Sequence, residues 1–110
     1  MPVEAFENCR IAVREGVGYD TMDLAGWGAR GVPVCNVPDY GTTEVADHAI
    51  ALLLALTRGT GSYQEAVRDQ PHRWDYGAAP LVRRLRGQTF AVLGLGRIGL
   101  ATARRAARAV

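Results

Sequence analysis

Lysine is absent from this chain, and all thirteen of its basic residues are arginines. Acidic residues are absent beyond Asp75, so the seven arginines from Arg83 onward meet no carboxylate in their own segment. A basic stretch of this kind can attract phosphates or a nucleic acid. Phosphate attraction alone is nonspecific, and the simpler reading is a solvated helix face whose acidic neighbours lie beyond the end of the chain. Nucleic acid is therefore not expected as a partner. Long apolar runs are missing too: nowhere do 18 apolar residues follow one another, which excludes a transmembrane helix. The opening MPVEAFENCR has neither the basic start nor the apolar stretch of a secretory signal, so no membrane is expected and a cytoplasmic address follows. Cysteine is scarce. Cys9 and Cys35 have no second pair and no histidine at ligand spacing, which argues against a disulfide framework and against a metal site and leaves two reduced thiols.

What is present is 48% apolar residues in a chain of 110, enough for one modest core. Residues 10–14 (RIAVR) suit a short strand that runs into the glycine loop EGVGYD, and residues 23–30 (DLAGWGAR) read as a short helix with Gly31 as its stop. Residues 32–37 (VPVCNV) suit a second strand, and strand, helix, strand is a parallel α/β unit. After the turn PDYG, Thr42 or Thr43 can supply a capping hydroxyl to the helix expected over residues 44–58. Apolar residues wrap almost all the way round that helix, so it must be covered on most sides, by its own domain or by a partner subunit. Residues 59–87 read as a connection with a helical stretch near 62–69, anchored by Trp74 and Leu81.

The segment with the clearest chemistry comes last. Residues 88–93 (QTFAVL) suit a strand, Gly94-Leu95-Gly96-Arg97-Ile98-Gly99 follows, and residues 100–109 continue as a helix rich in alanine and arginine. This is G-x-G-x-x-G in the setting it needs. Gly94 would allow the tight turn, Gly96 would leave room for a pyrophosphate, and Gly99 would let helix and strand pack closely. The amides of Arg97 and Ile98 would face the phosphates at the positive end of the helix dipole. The acidic residue that reads the ribose is expected about 20 residues further on, past Val110, which leaves NAD and NADP both open.

The run VREGVGYDTMDLAGWGARGVPVCNVPDYGTTEVADHAIALLLALTR, followed by LRGQTFAVLGLGRIG, resembles the D-isomer-specific 2-hydroxyacid dehydrogenases, a family that includes phosphoglycerate dehydrogenases and corepressors of the C-terminal-binding-protein type. The likeness implies an α/β fold with parts of two domains: residues 1–39 as the end of a flavodoxin-like substrate-domain segment, and residues 40–110 as an interdomain helix, a connection and the first strand and helix of a Rossmann-type NAD-binding domain. It implies that the amides of Gly16, Val17 and Gly18 face the substrate carboxylate, with Arg14 as a guanidinium suited to bidentate carboxylate binding. Arg14 reads equally well as a surface arginine at a strand end. Val45 falls where the family packs a residue near the nicotinamide, though it also suits plain core. Asp47 and His48 match an acidic-histidine pair that is structural in most members, so His48 is not expected to catalyse; His72 reads as an ordinary loop residue.

The family's reaction moves a hydride between substrate C2 and nicotinamide while a carboxylate-held histidine exchanges the hydroxyl proton and an arginine polarises the carbonyl. Those three positions would lie past Val110, so the resemblance places no catalytic residue in this chain. The expectation is a piece of an NAD-dependent enzyme acting on a 2-hydroxy or 2-keto acid, a homodimer when intact. Two alternatives stay open: a piece of a dinucleotide-sensing corepressor, and a truncated product without function.

Overall fold

A computed structural model describes residues 3–72, 75–79 and 82–109. The chain divides into two compact units, Met1–Tyr40 and Gly41–Val110. In the first, a 3-10 turn at Val3–Ala5 precedes strand β1 (Ala12–Arg14), helix α1 (Leu24–Ala29) and strand β2 (Val34–Asn36). The strands pair in parallel, with Ala12 opposite Val34, Val13 opposite Cys35 and Arg14 opposite Asn36. Asp23 caps α1 by accepting the Gly26 amide at 2.9 Å, and Gly31 stops it with a left-handed φ of 64°. The expected strand–helix–strand unit is present, each element shorter than its sequence run.

Val3, Ala12, Trp27 and Val32 form the core of this unit, with Phe6, Cys9, Met22 and Val34 packed around it. The rings of Phe6 and Trp27 lie 5.6 Å apart at 48°, a tilted pairing worth about 0.5–1.5 kcal/mol beyond its area. Arg30, at the end of α1, reaches back to the N-terminal segment. Its guanidinium donates to the carbonyls of Val3 (2.5 Å), Phe6 (2.8 Å) and Glu7 (3.0 Å), adding a charged donor to the Val3 and Phe6 carbonyls, which also accept the amides of Phe6 and Cys9. Cys9 and Cys35 are free thiols.

The second unit holds α2 (Thr42–Arg58), α3 (Thr60–Asp69) and α4 (Arg97–Ala109). Helix α2 begins earlier than its apolar pattern, and neither threonine caps it: the cap position falls on Gly41, without a side-chain bond, and Thr42 and Thr43 lie in the first helical turn. Polar residues at a helix start can sit inside the first turn as readily as before it, so the pattern alone does not fix the cap. Gly59 closes α2 with φ 63° and opens α3. A Cβ on Gly59 would collide with the Ala79 Cβ and come within 3.3 Å of Val82, so both backbone conformation and close approach require glycine there.

Helices α2 and α4 pack on one another. Ala46 is 0% exposed, and α4 buries Thr102 and Ala106; small residues on both helices let the backbones approach. Arg105 donates its Nε to the Asp47 carboxylate. The arginine-rich tail therefore does not depend wholly on acidic residues past the end of the chain, because packing brings an α2 carboxylate to it. Most of α2 is left bare, with Leu56 83% exposed and Val45, Leu52 and Leu54 also open. Residues 88–93 form no strand. A strand is defined by its ladder, and among the described residues none lies beside this segment. Trp74 and Leu81, expected as anchors, lie outside the described residues; among the described residues the connection is held by buried Ala79 against Gly59 and by the Tyr63 hydroxyl, which donates to the Tyr76 carbonyl at 2.7 Å. Among the described residues no helix is long and apolar enough to cross a membrane.

Candidate carboxylate and dinucleotide sites

In the first unit, β1 delivers Arg14 and then the chain turns at Gly16, whose φ of 149° is reserved in practice for glycine. The Gly16 amide donates to the Arg14 carbonyl at 2.9 Å, and the Arg14 guanidinium donates to the Glu15 carbonyl. That guanidinium lies over Gly16: a Cβ there would meet Nη1 at 3.1 Å and Cζ at 3.5 Å. The expected Arg14, Gly16, Val17 and Gly18 thus share one loop, with the cation folded against the glycine. Two bonds tie the loop to β2. The Val37 amide donates to the Gly16 carbonyl at 3.0 Å, and the Asn36 side-chain amide donates to the Val17 carbonyl at 2.8 Å.

A cavity of about 230 Å³ opens beside this turn, lined by Glu15, Gly16, Val37 and Tyr40. Charge around the loop is mixed. Arg14 supplies a cation, while Asp20 places a carboxylate oxygen 3.5 Å from the point where a Gly18 Cβ would stand. An incoming carboxylate would be drawn by the first and repelled by the second.

In the second unit, Gly94, Gly96, Arg97, Ile98 and Gly99 surround the start of α4. The first helical bond runs from the Leu100 amide to the Gly96 carbonyl at 2.9 Å, so the amides of the first turn point out of the helix end. The three glycines differ in what requires them. Gly94 has φ 91°. Gly99 abuts the Gly94 carbonyl so closely that a Cβ would overlap its oxygen and lie 2.9 Å from its carbon. Gly96 has neither demand, since nothing lies within 4 Å of its Cβ position. A glycine that the chain itself does not require, between two that it does, fits a group that must approach the backbone from outside.

Val45 stands in the first turn of α2, 49% exposed, beside the buried Ala46; it is not core within this unit. His48 is exposed on the same helix. Among the described residues no group of three histidine, cysteine or acidic side chains is gathered as for a metal. The sequence did not single out Asn36 or foresee its bond to the loop; its position at the end of the strand run VPVCNV was the available signal. Nor did it foresee the pairing of Asp47 with Arg105, for which spacing 58 residues apart offers no signal.

A profile of the D-isomer specific 2-hydroxyacid dehydrogenase catalytic domain matches residues 3–109. A hydroxypyruvate reductase from Blautia hydrogenotrophica is 38% identical over 93% of this chain and 34% of its own length. A D-3-phosphoglycerate dehydrogenase from Archaeoglobus fulgidus is 37% identical over 94% of this chain and 19% of its own. Among solved structures, the NADPH-dependent glyoxylate/hydroxypyruvate reductase of Sinorhizobium meliloti, in complex with NADP and malonate, superposes with TM-score 0.71 at 42% identity, over 90% of this chain and 31% of that one. D-lactate dehydrogenase from Aquifex aeolicus, complexed with NAD and lactic acid, gives 0.70 at 28% identity, over 88% and 29%. The chain thus spans about a third or less of each of these relatives. It belongs to the D-isomer-specific 2-hydroxyacid dehydrogenase family.

Proposed function

We propose that this chain is part of an NAD(P)-dependent oxidoreductase that interconverts a D-2-hydroxy acid and its 2-keto acid. In this reading residues 1–39 belong to the substrate domain and residues 40–110 begin the cofactor domain. The loop of Arg14, Gly16, Val17 and Gly18 receives the substrate carboxylate. Gly94, Gly96 and Gly99, with the amides of Arg97 and Ile98, receive the pyrophosphate of NAD, or of NADP in the alternative, and Val45 lies toward the nicotinamide. The observation that carries the cofactor assignment is the division of labour among the three glycines: Gly94 is required by its φ and Gly99 by close approach, while Gly96 is required by neither and leaves open space above the backbone.

When bound, the nicotinamide supplies or accepts the hydride. This chain's own contribution is binding and orientation. The loop amides and the Arg14 guanidinium would fix the carboxylate end of the substrate and so the face of C2 that is presented. The α4 N-terminus would hold the dinucleotide by hydrogen bonds and by the helix dipole. Proton exchange and carbonyl polarisation fall to a histidine, its carboxylate and an arginine placed past Val110, so the 110 residues alone turn over no substrate. The bare apolar face of α2 supports assembly as a homodimer, and two free thiols fit a cytoplasmic setting.

The test is to follow the reading frame through the codon for Val110 and assay the product with NADH and NADPH against glyoxylate, hydroxypyruvate and pyruvate. A frame that continues into an acidic residue, then an arginine, a glutamate and a histidine, with cofactor oxidation dependent on a 2-keto acid, is expected. A stop after Val110 with no such oxidation would overturn the proposal.

A further inference from the structure

The peptide bonds of the Gly16–Gly18 loop have their directions fixed from β2. In a planar trans peptide the carbonyl of one residue and the N–H of the next point in opposite directions. The Gly16 carbonyl accepts from the Val37 amide and the Val17 carbonyl accepts from Asn36 Nδ2. Both carbonyls are therefore turned toward β2, and the N–H groups of Val17 and Gly18 are turned away from it. Among the described residues neither of these amides donates a hydrogen bond. Two successive donors on one side of a loop form a concavity for an anion.

The two bonds differ in kind. The Gly16 carbonyl is held by backbone, whatever side chain follows. The Val17 carbonyl is held by a single side chain, Asn36, which is half-buried at the end of β2 opposite Arg14. A rotation of the Val17–Gly18 peptide would leave one outward amide where there had been two. Resting on the carboxylate reading of this loop, we propose that Asn36 is a positioning residue: its side-chain amide sets the Val17–Gly18 peptide plane and so aims the Gly18 N–H at the substrate carboxylate. Asn36 does not touch the substrate in this role.

The test follows the backbone amides of the full chain by NMR while oxamate, a 2-oxo carboxylate of minimal size, is titrated. In the wild type the Val17 and Gly18 amide resonances are expected to move together. In Asn36→Leu, which keeps the side chain's shape and removes its donor, the Gly18 response is expected to be lost and the affinity to fall about tenfold, while the Val17 response persists. Asn36→His, whose Nδ1 can stand where the asparagine nitrogen stood, is expected to restore the Gly18 response and bring affinity within threefold of wild type. Unchanged resonances at Ala12–Arg14 and Val34 would show that the strands are intact in each variant. The proposal is overturned if leucine and histidine behave alike, or if wild-type Val17 and Gly18 do not respond to oxamate. Its fate is separable from that of the enzyme reading. A gene product that reduces no 2-keto acid but shows the paired amide response removes the enzyme and keeps the positioning role; an active enzyme lacking that response does the reverse.

Discussion

Replacing Gly99 and Gly96 separately with alanine should give opposite signatures, although both changes add one methyl group within the same glycine fingerprint. At Gly99 the new Cβ overlaps the Gly94 carbonyl oxygen, lies 2.9 Å from its carbon and 3.4 Å from Val92 Cγ1. The obstacle is backbone, held at a φ of 91°, and cannot step aside as a flexible side-chain tip would. Overpacking of this kind costs about 1–3 kcal/mol, against which alanine inside a helix returns about 1 kcal/mol relative to glycine. Because the overlap is with rigid backbone, the upper part of that range, about 2–3 kcal/mol, applies, and a net loss of about 1–2 kcal/mol is expected. At about 4 °C per kcal/mol for a chain near this size, the melting point followed by circular dichroism should fall by roughly 4–8 °C. At Gly96 nothing lies within 4 Å, and the residue precedes α4, where exchanging glycine for alanine costs less than about 1 kcal/mol. Its melting point should barely move, while NADH binding by the complete gene product, followed by fluorescence, should weaken at least tenfold. A Gly99→Ala protein as stable as wild type would refute the packing argument. A Gly96→Ala protein that binds NADH normally would refute the role given to Gly96.

Further outcomes follow from other contacts. Gly59→Ala combines a left-handed φ with a collision at Ala79 and should cost about 2 kcal/mol or more, read by urea denaturation; a neutral result would mean that residues 75–79 do not pack on the α2–α3 corner. A double-mutant cycle on Asp47→Asn and Arg105→Met should give a coupling of about 0.2–1 kcal/mol that shrinks in salt, since both side chains remain partly in water; a coupling above about 2 kcal/mol would point to a desolvated pair instead. Arg30→Met strips a charged donor from three backbone carbonyls and should cost about 1–3 kcal/mol, with protease cleavage moving into the first nine residues; unchanged cleavage would contradict the tether. Asp20→Asn, which removes the carboxylate near Gly18, should tighten oxamate binding severalfold at low salt, and no change would place Asp20 outside the loop's field.

The elements that were legible in the sequence are those decided by local chemistry. Asp23 and Gly31 bracket α1 as a cap and a left-handed stop can, and the apolar run after PDYG gave α2 its length to within two residues. What was not legible depends on groups brought together from a distance. Residues 88–93 have the composition of a strand, but strand formation needs a neighbour, and the sequence of a strand does not contain one. Thr42 and Thr43 have the right chemistry for a cap, yet α2 starts at Thr42 and leaves the cap position to Gly41. Within the candidate sites, the backbone demands at Gly16, Gly94 and Gly99 are local, a positive φ or a close approach, and glycine in the sequence marks them. Asn36 and the Asp47–Arg105 pair are not marked in this way, because each acts on a partner that only the folded chain supplies.

The bare face of α2 has a consequence in time as well as in space. During synthesis α2 is complete at Arg58, but α4, which covers its Ala46 side, is complete only at Ala109. At about 5–20 residues per second, that interval lasts roughly 3–10 seconds. Throughout it the Ala46 side of α2 lacks the helix that will bury it, so the nascent chain exposes more apolar surface than the finished unit does.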